Sequence, residues 1–477
     1  MDNLFFMSFS ELSQAVGGRL CTGGEQQSPQ APVGAGEGFS SVCIDSRAAA
    51  AGGLFVALRG AELDGHRFVQ AAFQKGAAGA LVDSRALEDS KLDLVALAKS
   101  QNRTLVVVDN TLKAFQKAAP AYLERFPKLT RIGITGSSGK TTTKEIAAAI
   151  IRQEKQVVMN EGNLNSETGL PLSIFNIRGH HEIGVFEAAM NHPGEMADLA
   201  KILNPHIALI TNIGSAHIGL LGSRDAIAHE KKQLFSEFSG NNIAYIPAED
   251  EYREFLAKDV RGRKVFYGAA SLPGLWGIRD LGLEGSEIDW DGQKVRFPLP
   301  GRFNLANALA GIALGLEVGV SSASICRGLE SVKALFGRGE IFYGRSTMIR
   351  DCYNSNPESA TAAVEFCDSL EWKGRRVYIM GSMLELGDTE EKSHAALGAQ
   401  LSSCKADKVF LFGGEMNPAA DVMRNQGKKP FFHTTDIGEL SRALDSYIAK
   451  GDLVLLKGSR GCALEELTDI LTKERGA

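Results

Sequence analysis

Arg131-Ile132-Gly133-Ile134-Thr135-Gly136-Ser137-Ser138-Gly139-Lys140-Thr141-Thr142-Thr143 decides the architecture. An apolar run breaks into small residues and resumes as a helix-forming stretch from Thr143 to Ile151, which reads as strand, tight loop and helix in succession. Backbone N–H groups in such a loop (Gly136, Ser137, Ser138, Gly139, Thr142) converge on an anion, and the helix N-terminus adds partial positive charge. In loops of this kind the lysine, here Lys140, reaches the outer phosphates of a nucleotide, and the hydroxyl of Thr141 is placed to hold Mg²⁺. The strict phosphate-loop spelling requires glycine at position 134, where this chain has Ile134, so only its second half matches. The competing reading is a Gly/Ser turn with a solvated lysine. The strand before and the helix after favour nucleotide binding.

Outward from this loop the strand-then-helix rhythm of a parallel α/β sheet continues. A block at roughly 111–335 has strand-like runs at Arg131–Thr135, Gln156–Met159, Ile183–Glu187, Ile207–Thr211 and Ile243–Ile246. Near its end Asp291-Gly292, between alternating runs, signals a hairpin. A block at roughly 336–477 repeats the rhythm with Val377–Met380, Val409–Phe412 and Leu453–Leu456. A first block, roughly 1–110, has runs at Ser41–Ile44, Leu54–Leu58, Gly79–Val82 and Leu105–Val108, with a helical stretch from Phe68 to Lys75. Ser8 to Glu11 reads as a capping box, and Thr22 to Phe39 as an exposed loop. Three blocks agree with 477 residues at about 150 per domain.

Composition narrows the partners. Fifty-two Lys and Arg against 57 Asp and Glu leave a formal charge of −5 without a basic block, so nucleic acid is a poor partner. No run of about 18 apolar residues is present, which excludes a spanning helix, and the acidic, short-run start Met1–Ser8 does not read as a secretory signal. Seven scattered cysteines without a CxxC pair suit a reducing cytoplasm and no structural zinc site.

Two further residues bear on metal. Glu187 closes an apolar strand, and carboxyl ends of parallel strands face the ligand crevice. His217 follows the next strand and is expected on the same rim. Either alone is more often structural; together, beside a phosphate loop, they are candidates for holding Mg²⁺. By chemistry alone Lys231 and Lys232 read as two exposed helix lysines.

Thr135 to Thr142 resembles the variant phosphate loop of the ATP-dependent Mur ligases, which also lacks the first glycine. Similar motifs follow: Gly162 to Gly169, Asn191-His192-Pro193-Gly194-Glu195, Thr211 to His217, Gly301 to Ala308, Asp351 to Ser359, Glu385-Leu386-Gly387 and Lys457-Gly458-Ser459-Arg460. The resemblance covers all three blocks. It implies an N-terminal domain for the UDP end of a substrate (1–110), a central P-loop-type ATPase domain with a mostly parallel sheet (111–335) and a C-terminal Rossmann-like domain (336–477). Within the family, the Gly162, Asn191 and Asp351 segments are similar to those of the member adding D-alanyl-D-alanine to UDP-N-acetylmuramoyl-tripeptide. That implies ATP-dependent ligation of small-molecule substrates through an acyl phosphate, in cytoplasmic peptidoglycan precursor synthesis, by a monomer without membrane insertion.

Residue roles come with the resemblance. Lys140, Glu187, His217 and Lys231 are implied to be catalytic. Two Mg²⁺ ions are implied, one held by Thr141 and Glu187, the other held or organised by His217 and Lys231. Lys231 matches the family lysine that CO₂ carbamylates, with Lys232 the neighbouring alternative. Carbamylation needs a neutral amine, hence neighbours that lower the lysine pKa, and its product is a hard oxygen ligand. Asn304 and Asn307, three apart on one helix face, are implied near the adenine, and Arg338 and Asp351 near the nucleotide. Ser46 and Arg47, with Asp64 to Phe68, correspond to the UDP side; Asn163, Asn165, Asn354 and Asn356 to the acceptor substrate. The chain departs from the family at Ala189, at Pro247 to Asp250 and at Ser382. Two other classes remain open: a ligase of the third-residue-adding or folylpolyglutamate type, and a nucleotide-switched binding protein or P-loop kinase.

Overall fold

The structure, a computed structural model, describes residues 6–22, 38–60, 62–89 and 91–473. Most of the loop expected between Thr22 and Phe39, and the start of the chain through Phe5, lie outside these residues. The capping box is present: Ser8 Oγ accepts the Glu11 N–H at 3.1 Å, and the Glu11 carboxylate accepts the Ser8 N–H at 2.7 Å. It starts the helix Phe9–Val16, which buries Leu12 and Val16.

Contacts divide the chain into two units, 1–133 with 156–190 and 195–206, and 134–155 with 191–194 and 207–477. In the first unit a five-stranded sheet runs in the order Arg19–Thr22, Thr104–Val108, Gly79–Asp83, Leu54–Val56, Val42–Cys43. Every pair is parallel except the first. Parallel neighbours need crossovers, and Val69–Gln74 and Leu94–Ser100 supply helices for them. The helix expected from Phe68 starts one residue later, because Asp64 caps a 3₁₀ turn, Gly65–Phe68, ahead of it. Strand Leu54–Val56 stops short of Leu58, whose N–H turns back to the Val56 carbonyl at 3.1 Å. The same unit pairs Val157–Met159 with Ile183–Glu187 in parallel.

In the second unit Ile207–Ile210, Ile243–Pro247 and Arg263–Tyr267 form a parallel run. The expected hairpin is Ser286–Trp290 against Gln293–Phe297, turning at Asp291 and Gly292, both with positive φ. Leu275–Asp280 adds a third antiparallel strand. The C-terminal sheet has the order Glu340–Tyr343, Thr347–Asp351, Leu453–Lys457, Arg376–Gly381, Lys408–Phe412, Phe431–Thr434, parallel apart from its first pair. Period-two alternation sends Tyr378 and Met380 into one core with Ala363, Leu397 and Leu401, and Val377 and Ile379 into another with Leu440, Leu444 and Leu467. Helices therefore cover both faces, as in a doubly wound fold.

Candidate functional site

The strand Thr130–Thr135 leads into the phosphate loop, and the helix after it is Lys140–Ile151, three residues longer at its start than the sequence suggests. Gly136 and Gly139 have φ of +152° and +78°. A Cβ at Gly136 would lie 1.8 Å from Thr211 Oγ1, and one at Gly139 would lie 2.3 Å from Asn307 Oδ1. Glycine is required at both so that a strand end and a second helix can close on the loop.

The segment after strand Ile207–Ile210 grips the loop. Thr211 N–H donates to the Thr135 carbonyl at 2.8 Å, and Ser137 N–H to the Asn212 carbonyl at 3.0 Å. Ser138 N–H donates to Asn212 Oδ1 at 3.0 Å, while Thr211 Oγ1 and Asn212 Nδ2 donate to the Ser138 carbonyl at 2.6 and 3.1 Å. Ser137 Oγ accepts the Gly214 N–H at 2.8 Å and lies 3.1 Å from the Gly214 carbonyl. These bonds fix the loop independently of a ligand, which is the preorganisation that charge-stabilising sites need. Gly139 offers no side chain to cap the following helix, so its first-turn amides have the character of an anion site. Lys140 Nζ folds over the same loop, donating to the Gly136 carbonyl at 2.9 Å; Thr141 and Thr142 sit buried in the first turn.

Asn304 and Asn307 lie on helix Arg302–Glu317 and are buried. Asn307 Oδ1 accepts from Thr143 Oγ1 at 3.2 Å, which puts it against the phosphate loop, whereas Asn304 Nδ2 donates to the Pro300 carbonyl at 2.8 Å. His217 is the residue before the short helix Ile218–Leu221, in the left-handed region, with Nδ1 2.8 Å from Glu385 Oε2. That contact holds the Glu385 carboxyl below the usual carboxylate range. Lys231 is 1% exposed on helix Arg224–Lys232, which corrects the expectation of two exposed lysines. Helical spacing carried the signal: Ile227, Ala228, Leu234 and Phe235 are also buried and share its face. Lys232 points elsewhere, donating to the Phe255 carbonyl at 2.8 Å and lying over the Phe255 ring.

In the C-terminal sheet Asp351 ends its strand in register with Lys457, 3.1 Å away, and buried Lys457 also donates to the Asn354 carbonyl at 2.6 Å. Arg338 stacks on Tyr353 at 4.2 Å. Asn354 is exposed, with Oδ1 accepting the Ser355 N–H, whereas the Asn356 side chain caps helix Pro357–Ser369 by accepting the Ser359 N–H at 2.8 Å.

In the first unit Glu187 is 1% exposed at its strand end, and Asn165 Nδ2 donates to its carboxylate at 2.7 Å. Asn160, which the sequence reading missed, bonds both the N–H and the carbonyl of Glu187 at 2.9 Å. Asn163 lies exposed in the turn before Asn165. Ser46 and Arg47 form an exposed 3₁₀ turn capped by Asp45, whose carboxyl is pulled down to about 2 by hydrogen bonds from Arg47. His66 is buried between Asp64, at 2.6 Å, and the Asp83 N–H, which donates to Nε2 at 2.9 Å; Nδ1 therefore carries the proton.

Among the described residues no three His, Cys, Asp or Glu side chains gather as a metal cage. Mg²⁺ needs none: it takes one or two carboxylates or hydroxyls and fills its shell with phosphate oxygens and water. Thr141 and Glu187 fit that donor chemistry. His217 fits it less well, since a hard cation prefers oxygen and one ring nitrogen already faces Glu385.

Family models match three successive stretches of the chain: Mur ligase family, catalytic domain at 39–123; Mur ligase middle domain at 134–315; Mur ligase, glutamate ligase domain at 337–460. The chain belongs to the Mur ligase family. A UDP-N-acetylmuramoyl-tripeptide–D-alanyl-D-alanine ligase of Treponema pallidum (strain Nichols) is 42% identical over 98% of this chain and 100% of its own length. The crystal structure of MurF from Acinetobacter baumannii superposes with a TM-score of 0.83 at 28% identity, over 97% and 98% of the two chains. The MurF ligase from Thermotoga maritima in complex with ADP gives 0.75 at 27%, over 90% and 96%. Among the described residues no helix is long and apolar enough to cross a membrane.

Proposed function

We propose that this chain joins D-alanyl-D-alanine to the terminal carboxylate of UDP-N-acetylmuramoyl-tripeptide with hydrolysis of ATP to ADP and phosphate. The observation that carries the reading is the phosphate loop, a glycine-flanked nest already held by Thr211, Asn212 and Asn307. Near-full-length identity to the Treponema ligase supports the choice of substrates.

A carboxylate resists amines because its carbonyl is electron-rich and its leaving group would be oxide. Transfer of the γ-phosphoryl group to it gives an acyl phosphate. The amine of D-alanyl-D-alanine then attacks the carbonyl, and phosphate leaves as the amide forms. In such transfers the protein positions the reactants and neutralises charge. Lys140 and the amides from Gly139 to Thr142 are assigned to the phosphates, whereas the Ser137 and Ser138 N–H groups, expected to face an anion, are spent on Asn212 and hold the loop in shape. Thr141 and Glu187 are the assigned oxygen donors for Mg²⁺, which when bound neutralises phosphate charge. His217 and a carbamate on Lys231 are assigned to organising a second ion. Asn304, Asn307, Arg338 and Asp351 are assigned to the nucleotide, Ser46 and Arg47 to the UDP end, and Asn163, Asn165, Asn354 and Asn356 to the acceptor. Asn165 acts through Glu187, and Asn356 through its helix. The three blocks 1–110, 111–335 and 336–477 are the proposed substrate, ATPase and C-terminal domains of a cytoplasmic monomer.

The test is phosphate release with UDP-N-acetylmuramoyl-tripeptides carrying diaminopimelate or lysine, each with and without D-alanyl-D-alanine. Release that requires ATP, acceptor and dipeptide together is expected. Release indifferent to the dipeptide, or turnover of a folate acceptor alone, would overturn the assignment.

A further inference from the structure

Helix Pro357–Ser369 carries a carboxylate with no part in the roles assigned above. Glu358, in its first turn, spans Ser215: Oε1 accepts the Ser215 N–H at 3.0 Å and Oε2 accepts from Ser215 Oγ at 2.8 Å. The preceding residue, Gly214, is the one that exchanges hydrogen bonds with Ser137 of the phosphate loop. The packing there is tight, since a Cβ on Gly214 would lie 3.2 Å from the Glu358 carboxyl carbon and 3.3 Å from the Ser137 Cβ. Three residues from three stretches of chain thus meet at one point, and the Ser137 carbonyl lies 3.5 Å from Lys140 Nζ.

A second contact ties down the same ribbon. Gly219 N–H donates to the Glu385 carbonyl at 3.1 Å, His217 faces the Glu385 carboxylate, and Gly219 packs so closely on Gly387 that a Cβ would come within 2.5 Å of its nitrogen. Between these anchors the ribbon borders a cavity of about 570 Å³ lined by Ser215, Ile218, Glu358, Thr361, Glu365 and Lys392.

We propose that Glu358 is a positioning residue for the phosphate loop: by clasping Ser215 it holds Gly214 against Ser137 and so sets the loop that receives the nucleotide phosphates. The proposal rests on reading this site as an ATP-dependent ligase, and its effect passes through Ser215 and Gly214 with no contact to substrate. A hydrogen bond to a charged acceptor at a partly exposed position sets the scale, and its loss should read as about a ten-fold rise in KM for ATP. The KM for D-alanyl-D-alanine should hold, and the melting temperature should fall by only about 3 °C.

The experiment compares Glu358→Ala, Glu358→Asp and Glu358→Gln in steady-state ligation, with ADP affinity measured separately by calorimetry. Alanine should show the ten-fold KM rise and a matching loss of ADP affinity. Aspartate, one methylene short, should behave like alanine. Glutamine, which can accept from the N–H and bond the hydroxyl, should recover most of the affinity. In a Ser215→Ala background the Glu358→Ala change should cost less than in the wild type, because the two share a bond. Glu365→Ala, one exposed carboxylate further along the helix, serves as the control and should be neutral. Unchanged ADP affinity in Glu358→Ala overturns the proposal, as does an equal effect from Glu365→Ala. A wild-type protein that binds ADP yet ligates nothing would defeat the assigned reaction instead, leaving the ADP affinities of the variants to judge the clasp.

Discussion

Gly139→Ala puts the phosphate loop to a quantitative test. Gly139 has φ of +78°, and an alanine there costs roughly 1–2 kcal/mol for the left-handed backbone alone. The new methyl would also sit 2.3 Å from Asn307 Oδ1 and 3.1 Å from its Cγ. Asn307 must swing aside and give up its bond from Thr143 Oγ1, worth about 1 kcal/mol. The total is roughly 2–3 kcal/mol. That corresponds to a fall of roughly 5 °C in the melting temperature of a unit this size. The loop amides would turn with the strained residue, so KM for ATP should rise at least about ten-fold. The two contributions separate in a cycle with Asn307→Ala, which removes the obstacle and leaves the backbone cost. In that background Gly139→Ala should cost about 1 kcal/mol less, read from urea midpoints. An equal cost in both backgrounds would show that the Asn307 contact is not what demands glycine. Wild-type KM for ATP in Gly139→Ala would refute the phosphate loop itself.

Three further outcomes follow from the same geometry. Lys231→Ala should abolish turnover and remove a carbamate resonance seen after ¹³C-bicarbonate labelling; Lys232→Ala, whose amine lies on the Phe255 carbonyl, should keep both, and the reverse pattern would move the assignment by one residue. Asn165→Leu takes the 2.7 Å donor from the buried Glu187 carboxylate, a loss of about 1.5–3 kcal/mol that should lower kcat/KM at least about ten-fold, against which unchanged kinetics would count decisively. His181 and His206 are each held down at about 4, mainly by burial, with His180 and Arg178 adding to it at His181 and Arg131 at His206. Each Nδ1 accepts a backbone N–H, from Arg178 at 2.9 Å and Arg131 at 3.0 Å. The unfolded rings protonate near 6.5, so stability is complete above that pH and declines as pH falls from there towards 4. Partial exposure discounts each contribution to roughly 1 kcal/mol. Urea midpoints measured from pH 7 to 5 should fall less in His181→Gln/His206→Gln than in the wild type, and parallel curves would exclude these rings.

Local signals in the sequence were read correctly where the cause was local. The capping box at Ser8 and the Asp291-Gly292 turn depend on neighbours a few residues away, and the strands at Gly79–Asp83 and Leu453–Lys457 announce themselves by the apolar run within each, although their pairing partners are distant. Glu340–Tyr343 and Phe431–Thr434 escape because both are edge strands, carrying one ladder and mostly half-buried side chains, so their apolar alternation is weak. The exposure of Lys231 was misjudged for a different reason. Charge argues for exposure, but the helical position of Lys231, level with Ile227 and Leu234, places it on the buried face.

The site itself divides along the same line. Gly136 to Thr142 is legible because strand, nest and helix are contiguous, so one stretch of chain carries the whole anion-binding argument. What stiffens that nest comes from far along the chain. Asn212 is 74 residues from Ser138, and Asn307 is 164 from Thr143. Glu358 is 143 from Ser215. No spacing rule operates over such separations; only the fold brings the groups within bonding distance. The ribbon from Thr211 to Gly219 therefore has a meaning that its own residues do not spell. One end is laced to the phosphate loop and the other to Glu385 and Gly387, with the Glu358 clasp between. A displacement of helix Pro357–Ser369 would pass through Glu358 and Ser215 to Gly214 and the phosphate loop. Substitutions along this ribbon at Gly214 or Ser215, which carry no assigned ligand contact, should therefore change ATP affinity.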